Sequence, residues 1–241
     1  MTSWRAVPAG RQQTEEVKRI FSTIAPEYDR FNKISSFGRD RVWRKRAVQL
    51  AKIKRSTHVL DLAAGTGDLT LAIVTQGVPS EIVSTDLVPE MLEIAKVKLA
   101  DYAGPTRIEF AIADAQALQF PDGSFDVVSV AFGVRNMPDR AANFREVHRV
   151  LRPGGRYVIL EFSRPSNTLF RQCYHFYLRT VIPFVGGRLT GDRKSCEYLN
   201  ESILAFPGQH ALAGELYKAG FKEVSWENLT FGVVAVHVAV K

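Results

Sequence analysis

The 241-residue chain carries 32 basic and 25 acidic residues, a net charge of +7, with 46% apolar and 24% charged residues. This is the composition of a globular protein able to bury a core, and no run of about 20 uninterrupted apolar residues is present to span a bilayer. Residues 1–8 lack the apolar stretch of a secretory leader, and Cys173 and Cys196 show no metal-ligand spacing and read as reduced thiols.

Residues 1–13 read as a tail. Thr14 can cap a helix whose first turn holds Glu15 and Glu16, and Val17, Ile20, Phe21 and Ile24 recur on one face. Pro26 then breaks the pattern. A second helix is predicted over 40–51, with Val42, Trp43, Ala47 and Leu50 buried. Eight cations lie between Arg39 and Arg55 against the single acid Asp40, either a solvated helix face or a contact for an anionic membrane surface.

From residue 57 strands and helices alternate. Strands are predicted over 57–62, 81–85, 107–113, 125–131 and 156–162, and helices over 69–75, 89–100 and 141–151, with a turn at 152–155. Alternation at these lengths implies right-handed βαβ units and a parallel sheet. The segment 165–207 is dense in aromatic residues, including Phe170, Tyr174, Phe176 and Tyr177, which points to an apolar pocket or lid, or to a satellite core. A helix near 210–219 precedes strands at 223–229 and 233–240, joined by only Thr230, Phe231 and Gly232. That link is too short for a parallel crossover, so the pair closes the sheet antiparallel. The expected fold is α/β and Rossmann-like: a seven-stranded, mostly parallel sheet with an antiparallel C-terminal hairpin and helices on both faces. One domain is expected over 1–241, with lid helices at about 14–51 and a substrate-binding insertion at about 165–207.

The chemistry gathers at the C-terminal ends of the strands. The first ends in Asp61 and turns through Ala63, Gly65, Thr66 and Gly67 into a helix opening with Asp68. Such a turn lets backbone approach a ligand closely. Asp86 ends the second strand and, with Leu87, is placed to accept the hydroxyls of a ribose; Asp114 and Ala115 end the third, placed to read an adenine edge. A dinucleotide fingerprint needs a small residue where this chain has Thr70 or, in the other frame, Asp68, so both frames fail. An acidic mouth at Asp61 and Asp68 suits a cationic sulfonium with an amino group better than a pyrophosphate; the alternative is that both acids cap the helix. Ala131 and Phe132 lead from this site into Gly133-Val134-Arg135-Asn136. The [N/D/S]-P-P-[Y/F/W] element of enzymes that methylate nucleic acid bases is absent there, so no nucleic-acid partner is expected. The five histidines share no metal spacing, no metal is expected, and only His175 is kept as a candidate base.

These motifs together resemble the ubiquinone/menaquinone C-methyltransferases, the UbiE/MenG family. The resemblance runs from about Ile20 to the C-terminus. It rests on the Phe21–Asn32 element, on Ser36-Phe37-Gly38 with Trp43-Arg44, on Phe132–Asn136, on Leu160–Ser163, on Tyr198–Ile203 and on Asn228–His237. Ala64 stands where many members have Gly, Phe31 replaces the usual Met, and Ala131 a frequent Ser. The resemblance implies S-adenosylmethionine as methyl donor and a ring carbon of a polyprenylated quinol as acceptor. Demethylmenaquinol is favoured, and a 2-polyprenyl-6-methoxy-1,4-benzoquinol is the other candidate. Arg135 is then expected to stabilise the developing phenolate, with Tyr28 and Asn136 hydrogen-bonding quinol oxygens. It further implies a cytoplasmic protein associated peripherally with the inner face of the cytoplasmic membrane, with oligomeric state open and a homodimer possible. The alternatives are a methyltransferase of another lipophilic small molecule and a non-catalytic cofactor-binding assembly protein.

Overall fold

The computed structural model describes residues 11–183 and 193–241, with side chains over 14–183 and 197–241. Seven strands form one sheet: β1 (His58–Leu62), β2 (Glu81–Asp86), β3 (Arg107–Ile112), β4 (Phe125–Ala131), β5 (Leu151–Phe162), β6 (Glu223–Leu229) and β7 (Val234–Val240). Their order is β3-β2-β1-β4-β5-β7-β6. β1, β2, β3, β4 and β5 pair in parallel, and β7 runs antiparallel to both β5 and β6. The expected α/β sheet and its C-terminal hairpin are therefore present. The chain order reverses between β1 and β4, which opens a crevice at their C-terminal ends and is where such sheets bind ligands.

The central strands are mostly apolar because helices cover both faces. Leu60, Leu62, Val128, Val130, Ile159 and Leu160 are fully buried. α3 (Asp40–Ala51), α4 (Asp68–Gln76), α5 (Pro89–Leu99), α6 (Arg140–Val150) and α9 (Gln209–Lys218) flank the sheet or its edges, following α1 (Arg11–Ile24) and α2 (Tyr28–Ser35). Of the residues predicted to be buried in α3, Val42 is 59% exposed and Leu50 only half-buried. The buried face runs through Trp43, Ala47, Val48 and Ala51 instead, which is the spacing of one helical stripe. Trp43 also donates its indole N–H to Thr230 Oγ1 at 2.8 Å, fixing α3 to the hairpin loop.

Three segments differ from expectation. Pro26 interrupts only one turn: a 3-10 turn at Ala25–Glu27 leads directly into α2, because a proline at the start of a turn forfeits no hydrogen bond. The turn at 152–155 is a bulge within β5, where the pairing shifts between Phe125↔Leu151 and Val127↔Arg156. The described parts of the aromatic insertion are helical, with α7 (Thr168–Phe176) continuing into a wide turn at Tyr177–Val181, and α8 (Arg193–Ala205) later in the segment. Its apolar residues recur at helical spacing and bury Tyr174, Leu178, Ile182 and Ile203 against the main core. No described helix is long and apolar enough to cross a membrane.

Candidate active site

Two cavities open at the C-terminal ends of the strands and share a wall made by Phe21, Tyr28 and Phe132. The smaller follows the ends of β1, β2, β3 and β4. Eight of the twelve residues assigned to cofactor line it: Ala63, Gly65, Asp86, Leu87, Asp114, Ala115, Ala131 and Phe132. Asn136 lines it too, and α1 covers it with Thr14, Val17 and Lys18, which the sequence reading did not assign.

The backbone turns left-handed at Ala63 (φ 48), Gly65 (φ 57) and Gly67 (φ 82), and not at Ala64, which explains how an alanine fits there. Asp86 is the anchor of this site. Its carboxylate accepts the Gly65 N–H at 2.7 Å and the Val88 N–H at 2.9 Å, while burial raises its pKa above the usual carboxylate range. Held by two backbone donors, it keeps lone pairs that face the cavity and suit a diol.

Asp61, Thr66, Gly67 and Asp68 are not brought to this wall. Asp61 is fully buried beneath it, accepting hydroxyl protons from Thr70 and Ser129 at 2.7 Å each. Burial pushes its pKa up to about 6. Asp68 is paired with Lys98 at 2.5 Å and with Arg44 at 3.4 Å. Lys98 also holds Asp29 of α2 at 2.6 Å, and Thr66 donates its hydroxyl to Asp29 at 2.5 Å. Together these contacts tie the turn to the N-terminal helices. A Cβ on Gly67 would come within 2.9 Å of Ala95 Cβ, so this glycine serves the contact between α4 and α5.

The larger cavity has a volume of about 480 Å³ and is walled mainly by apolar and aromatic side chains, among them Phe31, Trp43, Phe162, Phe170, Leu178 and Ile203. Two buried arginines reach it. Arg44 is paired with Asp40 at 2.6 Å and with Asp68 at 3.4 Å, while its Nε–H is buried with no partner among the described residues. Arg135 is 3.0 Å from Glu161 Oε1, donates to the Phe132 carbonyl, and lies 5.3 Å from the Phe162 ring centroid. Its Nε–H is buried with no partner among the described residues, and so is the hydroxyl of Tyr174 in the lining of the same cavity. Burial raises the Tyr174 pKa, keeping that hydroxyl a proton donor, and the Arg135 charge acts on it in the opposite sense. With the Arg44 Nε–H that makes three buried donors without a partner in residues lining one apolar cavity, a costly arrangement unless a ligand oxygen accepts from them.

Asn136 accepts from the Tyr198 hydroxyl at 3.1 Å and reaches the Phe132 carbonyl at 3.4 Å, so its amide holds the loop and faces the smaller cavity. His175 is absent from both walls. His237 is buried, its Nε2 lying 3.1 Å from the Gln209 carbonyl, and burial lowers its pKa to about 4. Cys173 is exposed and unpaired; the side chain of Cys196 lies outside the described residues. Glu161 and Tyr174 were missed from sequence. Glu161 is an acid in the apolar run Tyr157–Phe162 and must have a buried partner, a signal that leads to Arg135. Tyr174 is one aromatic among many and carries no such mark.

The model of the ubiE/COQ5 methyltransferase family matches residues 9–241. The chain belongs to that family. It is 48% identical over 219 residues to a demethylmenaquinone methyltransferase of Thermus thermophilus, covering 91% of this chain and 98% of the relative. It is 40% identical over 231 residues to the ubiquinone/menaquinone biosynthesis C-methyltransferase UbiE of a Geobacter species, covering 95% and 98%. Among solved structures it is similar to Haemonchus contortus phosphoethanolamine N-methyltransferase 2 in complex with S-adenosyl-L-methionine. That match has a TM-score of 0.61 and 16% identity over 82% of this chain and 52% of the other, a likeness of fold. Family membership gives the two-cavity site its context: a methyltransferase needs a donor and an acceptor pocket that meet.

Proposed function

We propose that this chain is an S-adenosylmethionine-dependent C-methyltransferase that methylates a ring carbon of a polyprenylated quinol, with demethylmenaquinol the favoured acceptor. One observation carries the reading. A carboxylate-anchored cavity and a more apolar one meet at Phe21, Tyr28 and Phe132, and the second holds Arg135 with an N–H that has no partner among the described residues. The relatives named for quinone methylation support the acceptor class.

S-adenosylmethionine bound in the smaller cavity would supply an electrophilic methyl group, its methyl–sulfur bond breaking to leave neutral S-adenosylhomocysteine. Asp86 would take the ribose hydroxyls, and Asp114 with the Ala115 backbone the adenine edge. Tyr28 stands over the turn, with its Cε1 4.0 Å from where a Gly65 Cβ would be, and it faces both cavities. There it helps aim the acceptor ring at the donor, and holding the reactants in line is a large part of such catalysis. The quinol oxygen loses its proton as the ring carbon becomes nucleophilic. The Arg135 Nε–H and the Tyr174 O–H stabilise that oxygen without any reorganisation of solvent. Once the carbon–methyl bond has formed, the ring carbon would release its hydrogen as a proton, which restores aromaticity, and the oxygen would regain a proton, so that one proton is lost to solvent overall. The apolar wall takes the first isoprene units of the tail.

The test is incubation with methyl-labelled S-adenosylmethionine and either reduced demethylmenaquinone or a short-tail methoxy-benzoquinol, scored for label on carbon. Transfer to neither quinol, with cofactor bound, sinks the reading. Asp86→Ala should weaken cofactor binding by calorimetry about tenfold or more, whereas Arg135→Lys should leave it unchanged and lower turnover. The name of the Thermus relative favours the naphthoquinol.

A further inference from the structure

The mouth of the larger cavity has the character of a lipid-binding surface. Phe37, Leu169, Phe176 and Phe231 are 80%, 72%, 66% and 79% exposed. Ring contacts join them to one rim: Phe37 packs against Tyr177 with centroids 6.1 Å apart, and Phe231 against Phe170 at 5.3 Å. Phe37, Tyr177 and Phe170 line the cavity, and Leu169 and Phe176 are the chain neighbours of the last two.

The backbone adds an independent sign. Phe37 (φ 52) and Phe231 (φ 57) both sit in the left-handed region, which bulky L residues seldom adopt. Strain of this kind persists where the surrounding structure imposes it, and it concentrates at functional positions. Here it holds two benzyl groups outward at turn tips. Single exposed apolar residues are ordinary; four around one opening, two of them strained, form a patch with a purpose.

The charge around the patch identifies the partner. Lys33, Arg39, Arg41, Arg164, Arg171 and Arg179 lie in the same two segments, 33–42 and 164–181. The only acid in those segments is Asp40, which is buried and paired with Arg44 at 2.6 Å. Arg164, Arg171 and Arg179 all bear on His175 and, after burial, help to lower its pKa, which places the three together. The Arg39–Arg55 stretch is a different matter: Arg44 is buried and Arg46 is held by Glu227 at 2.7 Å, so that stretch is not a free basic face along its length.

We propose that this rim docks on a bilayer containing anionic lipid, with Phe37, Phe231, Phe176 and Leu169 entering the interface and the cations facing headgroups. The cavity then opens into the acyl region, and an acceptor with an apolar tail enters without crossing water. The proposal rests on the quinol reading for its purpose but not for its test.

Vesicle flotation supplies the test and needs no acceptor. The full chain should float with phosphatidylcholine vesicles carrying phosphatidylglycerol, less with phosphatidylcholine alone, and less as salt rises. The double variant Phe176→Ser/Phe231→Ser, at positions outside the cavity wall, should bind about tenfold or more weakly. It should turn over a soluble short-tail quinol at the wild-type rate. Failure of the wild type to float, or equal binding by the variant, overturns the proposal. So does a dimer in sedimentation velocity that the double variant abolishes while vesicles go unbound, because the rim is then a contact between copies. A protein that floats but methylates neither quinol refutes the acceptor assignment and leaves the docking surface standing.

Discussion

Glu161 Oε1 lies 3.0 Å from Arg135 Nη1, and both side chains are almost wholly buried at the end of β5. The other carboxylate oxygen accepts the Arg135 backbone N–H at 3.3 Å, so one acid orients both the loop and the guanidinium it presents. Breaking a buried pair leaves an uncompensated charge and costs about 3–5 kcal/mol. Glu161→Gln keeps the shape and removes the counter-charge. It should lower thermal stability and reduce kcat by about 100-fold, with cofactor affinity unchanged. A variant with normal turnover would show that Arg135 needs no such partner.

Tyr174 gives a cleaner separation of chemistry from folding. Its hydroxyl has no partner among the described residues, so Tyr174→Phe removes no hydrogen bond seen in the fold. Melting temperature should hold or rise slightly, since a buried unsatisfied donor disappears. Turnover should fall about tenfold, the worth of one hydrogen bond to a developing charge. The loss should appear in kcat rather than KM, because the bond strengthens only as the oxygen ionises. Steady-state kinetics at saturating cofactor read this directly.

The sheet was legible because burial on both faces writes itself as uninterrupted apolar runs, as in Tyr157–Leu160. The hairpin was legible because three residues permit only one geometry. Asp86 and Asp114 could be placed beside the smaller cavity because strand ends fix where their carboxylates emerge. Asp61 and Asp68 show the limit: sequence places both beside the turn, yet one carboxylate points beneath it to Thr70 and Ser129 and the other toward Lys98. Those partners come from β4, α4 and α5, and no local pattern announces them. The helices of the 168–205 insertion were hidden by their aromatic content, which masks helical periodicity when several faces are apolar.

Lys98 is predicted to act as a latch for the N-terminal helices. It bridges Asp29 and Asp68 while Thr66 also holds Asp29, joining α2 to the cofactor turn. The pairs are part-exposed, so each is worth about 1 kcal/mol at most after screening. Lys98→Met should leave global stability nearly intact but speed hydrogen exchange at amides of α1 and α2. KM for S-adenosylmethionine should rise a few-fold, and the wild type in high salt should move the same way. Unaltered exchange in α1 and α2 would show that the helices are held by apolar contacts alone.

Asp61 makes a pH prediction whose sign can be worked out. Burial raises its pKa to about 6 from the 3.8 of an exposed carboxylate. Between those values the folded state holds a proton that the unfolded state has lost, so stability falls as pH rises through this window. The contribution is fully present below 3.8 and is gone above about 6. Its size is about 3 kcal/mol at 1.36 kcal/mol per unit. Asp61→Asn cannot ionise, and its amide can still meet the hydroxyls of Thr70 and Ser129. Urea unfolding of both proteins from pH 4 to 7 isolates the difference, because other titrating groups are common to both. Relative to the variant, the wild type should lose ground steadily up to about pH 6 and then stay level. A difference that does not change with pH would mean that Asp61 is ionised throughout, held so by the two hydroxyl donors beneath the turn.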